Sequence, residues 1–249
     1  MSRTFKIPRE PYDKGDKIYT KTSVTLEPGV TVLVGCNGSG KTTFLKHLEA
    51  QLKKDKVPVL SFDNLHDGGS NAVSTAAFYD DFNFVSAAVT SSEGENIMMN
   101  VGRMASKLRP FIKTGKSASK HDQLANAFAK AVWGNSVPEE DNIPKERWLL
   151  FDAIDSGLSV NNVVEVKEYL FKTILADADD CDIYILVSCN EYELAREENC
   201  FDVRNGKYIR FADYEDYRNF ILKSAQEKQK RLNNFDNSRK KKEKENEED

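Results

Sequence analysis

No apolar run in the 249-residue sequence approaches the roughly 20 residues that a membrane-crossing helix requires. The opening residues, MSRTFKIPRE, lack the apolar core of a secretory signal. Both absences predict a cytoplasmic protein with no membrane partner. Cysteines are few, and Cys36, Cys181, Cys189 and Cys200 form no CxxC pair, which removes the sequence case for a zinc site or a disulfide framework. A large excess of either charge is also missing. The net charge is only −4, so composition neither demands nor excludes a nucleic-acid partner. What remains is an ordinary balance of apolar and charged residues, sufficient for one α/β domain with a full core.

The most informative stretch is Val30 to Leu45, VTVLVGCNGSGKTTFL. An apolar β-branched run meets a glycine-rich loop and then a helix-forming segment, which is the context that the GxxxxGK[ST] motif requires. Glycines let successive backbone N–H groups turn toward one anion, and a helix N-terminus adds partial positive charge. In this reading Lys41 reaches the β- and γ-phosphates and Thr42 lends its hydroxyl to Mg²⁺. Cys36 lies inside the loop, whose positive field could activate its thiol.

Upstream, residues 17–26 read as a strand, a tight turn at Glu27-Pro28-Gly29, and then the strand that feeds the loop. Tyr19 or Phe5 could stack on an adenine; ordinary packing is the competing reading. Downstream, Phe44, Leu45, Leu48 and Leu52 recur at helical spacing as far as Lys54. Val57 to Phe62 reads as a second strand, followed by a polar loop from Asp63 to Ser74 at the sheet edge where α/β folds place ligands. That loop has no glutamine to bridge Mg²⁺ and water, leaving Asn64 or His66 as substitutes.

Thr90-Ser91-Ser92-Glu93-Gly94-Glu95-Asn96 opens a further helical pattern and is either a capped helix start or an anion-binding end. A helical subdomain is expected over about residues 92–145, in which residues 111–145 read as a small helical insertion, polar and irregular apart from a helix from Asp122 to Trp133. Arg147 to Phe151 is a buried strand ending at Asp152, the carboxylate that a site of this kind needs opposite its lysine to anchor Mg²⁺. A helix from Val163 to Ile174, a strand from Ile183 to Val187, a hairpin turned at Asn205-Gly206 and a helix beginning at Tyr214 complete a domain over residues 1–222. Residues 223–249, nearly free of large apolar side chains, read as a charged and disordered tail.

The loop CNGSGKTT, the segment SSEGE, the strand LLFD with its trailing DSGLS, and the strand-end VSCN together resemble the ATP-binding-cassette ATPases. The likeness is closest to the soluble branch of RecF-like and SMC-like heads, and to small stand-alone ATPases of bacteriophages. Neither the stretch from Lys41 to Ser92 nor that from Ser92 to Asp152 can hold a long coiled-coil arm.

The resemblance implies a P-loop NTPase head with a mixed central sheet flanked by helices. It implies an ATP-sandwich homodimer in the cytoplasm, that of the host if a phage encodes the chain. It further implies ATP and Mg²⁺ as ligands and a role in DNA repair, recombination or phage DNA metabolism. Carried over by position, Gly35, Asn37, Gly38, Ser39, Gly40, Lys41, Thr42 and Thr43 bind phosphates. Asp152 and Thr42 hold the metal, and Ser92 and Gly94 reach the partner's γ-phosphate. Ser119 is the rival to Ser92, without a glycine where the phosphate must come close.

Departures from the family pattern predict slow hydrolysis. Ala153 stands where glutamate normally serves as base, which leaves Asp155 as the nearest carboxylate to borrow. The switch histidine falls at Cys189 or Asn190, and Asn190 can donate to a phosphate without titrating near neutrality. Three functions therefore compete: a slow ATPase in a nucleoprotein complex, an ATP-bound switch or scaffold, and a transporter subunit, for which the missing glutamine is a handicap.

Overall fold

The computed structural model describes residues 1–12, 16–63, 108, 110–115, 145–176 and 181–247, with side chains as far as residue 240. Two apolar strands dominate it because their side chains alternate between two cores. In β3 (Gly29–Val34), Val32 and Val34 face one core and Leu33 the other. In β5 (Glu146–Asp152), Leu149 and Phe151 face the first core, and Trp148 and Leu150 the second. Burial on both faces is the signature of interior strands in a parallel sheet.

Six strands form this sheet in the order β4-β5-β6-β3-β7-β8, where β4 is Val59–Asp63, β6 Asp182–Ser188, β7 Asn199–Asp202 and β8 Lys207–Ile209. All neighbours are parallel except β7 and β8, which form the expected Asn-Gly hairpin. The fold is thus α/β, with a mixed six-stranded sheet flanked by helices.

Helix α1 (Lys41–Lys54) covers one face with Phe44, Leu45, Leu48 and Leu52, as their spacing predicts. The other face receives α2 (Val160–Glu165), a π-helical stretch at Val166–Phe171, and α3 (Lys172–Ala176). Helix α4 (Tyr192–Ala195) joins that core through Leu194. Strands β1 (Arg3–Lys6) and β2 (Ser23–Leu26) differ from expectation. They pair with each other as a separate antiparallel ribbon over α1, rather than extending the strand that feeds the loop.

The C-terminal segment is a correction. Instead of ending near Leu222 in a disordered tail, α5 runs from Tyr214 to Glu247. Its start is capped reciprocally, with Asp216 N donating to Asp213 Oδ1 at 2.9 Å and Ala212 N to Asp216 Oδ2 at 3.1 Å. The stretch contains no glycine or proline and is rich in Lys, Glu, Gln and Arg, all good helix formers. Its first turns join the first core through Tyr217, Phe220 and Ile221; beyond them the helix is charged and docks by polar contacts, Arg204–Glu227 at 3.6 Å and Arg231–Asp16 at 2.9 Å. The helical subdomain expected over residues 92–145 lies mostly outside the described residues. Within it, Leu108, Phe111 and Ile112 join the first core.

Candidate functional site

Strands β5, β6 and β3 are parallel and in register, so their C-terminal ends meet at one edge. Phe151 pairs with Val187, which sets Asp152 beside Ser188, and Leu33 pairs with Ser188, which sets Gly35 beside the residues that follow. The glycine-rich loop leaves β3 at this edge, where open α/β sheets bind ligands.

The loop has the conformation its glycines permit. Gly40, the N-cap of α1, has φ 100°, and a Cβ there would meet Ile18 Cγ2 at 2.8 Å and Tyr19 Oη at 2.9 Å. Gly40→Ala is therefore expected to cost about 2 kcal/mol, from left-handed strain plus overlap. Urea unfolding measures this, and an unchanged midpoint would sink the steric argument. Inside the loop Ser39 N donates to Cys36 O at 3.0 Å, and the buried Ser39 Oγ has no hydrogen-bond partner among the described residues. Cys36 is buried, so its thiol is not presented to solvent as an activated nucleophile.

Lys41 is only 9% exposed. Its Nζ donates to Gly35 O at 2.7 Å and to Asn190 Oδ1 at 3.1 Å, both neutral oxygens. Burial lowers its pKa from the ordinary lysine value, opposed by the more distant Cys189, Cys36, Asp155 and Asp152. An ammonium buried without a bonded carboxylate is suited to an incoming anion.

Lys41 shares a cavity of about 410 Å³ with Thr42, Asp152, Ala153, Ser188 and Asn190. Asn37, Gly38, Gly40 and Thr43 line it from the loop side. At its floor the Ser188 hydroxyl donates to Asp152 Oδ1 and accepts from Ala153 N at 2.9 Å. Asp152 is thereby oriented by a neighbouring strand. Ala153 itself adopts φ 52°, an uncommon conformation for a residue with a Cβ.

Asn190, rather than Cys189, occupies the strand-end position that faces the lysine. Cys189 is buried, and burial raises its thiol pKa well above normal. The loop carrying Asn190 is held from two sides. Tyr217 Oη donates to Asn190 O at 2.8 Å, and Asp155 Oδ2 accepts from Asn190 N at 2.6 Å and Glu191 N at 2.8 Å.

Asp155 therefore does not fill the place anticipated for a borrowed base. It is only 4% exposed, lies outside the cavity lining and braces the Asn190 loop. Asp155→Ala is expected to cost about 3 kcal/mol by leaving two backbone N–H groups unsatisfied near the site. Thermal unfolding checks this: a stability equal to wild type would contradict the bracing role.

Both aromatics suggested for base stacking are excluded from it by burial. Phe5 packs edge-on against Trp148 at 5.1 Å, and Tyr19 Oη donates to Gly40 O at 2.8 Å. Tyr12 instead lines the cavity, is 71% exposed and hydrogen-bonds the Thr43 hydroxyl. No periodicity marks it, since it follows Pro11 outside any strand. Sequence reasoning also missed α5 at this site. Ser224 Oγ accepts from Cys36 N at 3.2 Å, and Lys228 Nζ donates to Asn37 O at 2.8 Å.

Ser92, Gly94, Ser119, Asn64 and His66 lie outside the described residues. Among the described residues no helix is long and apolar enough to cross a membrane. No protein-family model matches the chain, and no curated protein is significantly similar to it.

Proposed function

We propose that the chain is an ABC-type P-loop protein that binds ATP with Mg²⁺ and hydrolyses it slowly. The observation that carries this reading is the convergence of Lys41, Thr42, Asp152 and Asn190 on one cavity beside the glycine-rich loop. The loop amides and the buried Lys41 ammonium would take the β- and γ-phosphates. The orphaned Ser39 hydroxyl and the unsatisfied lysine charge fit an absent anion.

Mg²⁺ needs few protein ligands when phosphates supply the remainder. Among the described residues no group of three or more metal-binding side chains exists, and the Thr42 hydroxyl with the Asp152 carboxylate supplies the donor set such a site requires. When bound, the ion would neutralise charge on the phosphates. Asn190 would donate through its amide to the terminal phosphate, held in place by Asp155 and Tyr217. The exposed Tyr12 offers its ring to the base.

Dimerisation through Ser92 and Gly94, and a role on DNA or in a nucleoprotein complex, rest on the resemblance. A second reading, an ATP-bound switch, is favoured by one observation: among the described residues Asp152 is the only carboxylate lining the cavity. The deciding measurement is the solution mass with and without Mg·ATP, followed by phosphate release from the same sample. A dimer formed only with ATP, together with turnover, supports the ATPase. A stable ATP dimer without turnover selects the switch, and no nucleotide response overturns both.

A further inference from the structure

A second cavity, of about 550 Å³, is bordered by Tyr19, whose hydroxyl donates to Gly40 O of the glycine-rich loop. Its volume is that of a small-molecule site. Three segments remote in sequence wall it: the N-terminal stretch with Arg9 and Lys17, the β7–β8 turn with Arg204, and α5 with Lys230 and Arg231.

The charge in this cavity is not balanced. Arg231 is paired with Asp16 at 2.9 Å, and Arg204 faces Glu227 at 3.6 Å. Arg9 spends its Nε and Nη2 on one neutral acceptor, Thr20 O, at 3.1 and 2.7 Å. Lys17 and Lys230 form no ion pair among the described residues. Three exposed cations thus share one concave surface without matching anions among the described residues, and a compact anion entering between them would meet a positive field. Phe235 adds an apolar wall, which suits a ligand with a planar or apolar part.

We infer that this cavity is a second anion site, taking a small phosphorylated molecule whose phosphate sits among Arg9, Lys17 and Lys230 and whose remainder packs against Phe235. Tyr19 and α5 also hold the glycine-rich loop, through Gly40, Cys36 and Asn37. The two sites therefore share supports, while their ligands are bound by different cations.

The test is calorimetric titration of the full chain with inorganic pyrophosphate at low salt. Wild type, Lys41→Met and the double variant Lys17→Ala/Lys230→Ala are compared. Both lysines of the double variant are exposed, so its fold is not at stake. The expected result is one site in Lys41→Met, weakened about tenfold or more when Lys17→Ala/Lys230→Ala is added. No binding to Lys41→Met, or equal affinity with the two lysines removed, overturns the proposal. So does tight binding of a single-stranded oligothymidylate with none of pyrophosphate, which would make the surface a polyanion track. Should wild type bind one pyrophosphate that survives Lys41→Met and disappears in the double variant, the cavity stands and the reading of the glycine-rich loop fails instead.

Discussion

Lys41→Met is expected to weaken ATP binding about 100-fold, which corresponds to about 3 kcal/mol, while leaving the folded state nearly as stable as before. The two halves of this expectation come from the same geometry. Lys41 is buried against the oxygens of Gly35 and Asn190, neither of which carries charge. Its ammonium is therefore underpaid in the free protein and fully used when a phosphate arrives. Methionine keeps the aliphatic stem and removes the charge. The lost hydrogen bonds and the lost burial penalty then offset each other to within about 1 kcal/mol. A titration with a fluorescent ATP analogue reads the affinity and urea unfolding the stability. Affinity within threefold of wild type would remove Lys41 from the ligand site.

The lowered pKa of Lys41 adds a pH signature. Its folded value lies below the ordinary 10.5, so the native state loses this proton before the unfolded chain does. The contribution to stability accordingly rises as pH climbs through that window, because the buried charge is being removed. The proposed nucleotide binding would have the opposite sign, since the anion needs the charged form. Wild-type affinity should therefore fall on the alkaline side before pH 10.5 is reached, and Lys41→Arg should lack that fall because its guanidinium stays charged.

The meeting of the glycine-rich loop, Asp152 and the Cys189-Asn190 strand end at one sheet edge was legible because each is announced locally. A motif of eight residues carries the first, and apolar runs that end at the same sheet edge carry the others. The α/β class followed from the same runs. Features made by distant contacts were not legible. Ser224 meets Cys36 across 188 residues, and Lys228 meets Asn37 across 191. Composition marked residues 223–249 as nearly free of the large apolar side chains a core needs, yet a helix can be held by ion pairs at its flank without one.

Tyr19 and Tyr12 make the same point at the level of one side chain. Both are tyrosines in the N-terminal stretch, and only the topology shows that Tyr19 is buried beneath the loop while Tyr12 stands open beside it. The basic cavity is a further case, since Arg9, Lys17, Arg204, Lys230 and Arg231 form no charge cluster along the chain. Asp155 shows the limit of proximity in sequence. Two positions from Ala153, it was the natural substitute for a missing base, but it lies outside the cavity lining and its Oδ2 accepts from Asn190 N and Glu191 N.

Ala153→Glu is expected to raise the rate of phosphate release about 100-fold, at the lower end of what a positioned general base contributes. Ala153 lines the cavity directly after Asp152, and its N–H is fixed on Ser188 Oγ, so the backbone at this point is held. The left-handed φ of 52° is already borne by a residue with a Cβ, and glutamate, unbranched at Cβ, adds little further strain. The change therefore introduces a carboxylate into a site where Asp152 is the only one among the described residues, with small cost to folding. Ala153→Gln controls for size and hydrogen bonding without basicity, and it should leave turnover at the wild-type level. If glutamate and glutamine behave alike, no attacking water is held at this position. The bound nucleotide then acts by its presence, and the chain is a switch whose alanine is a functional choice rather than a loss.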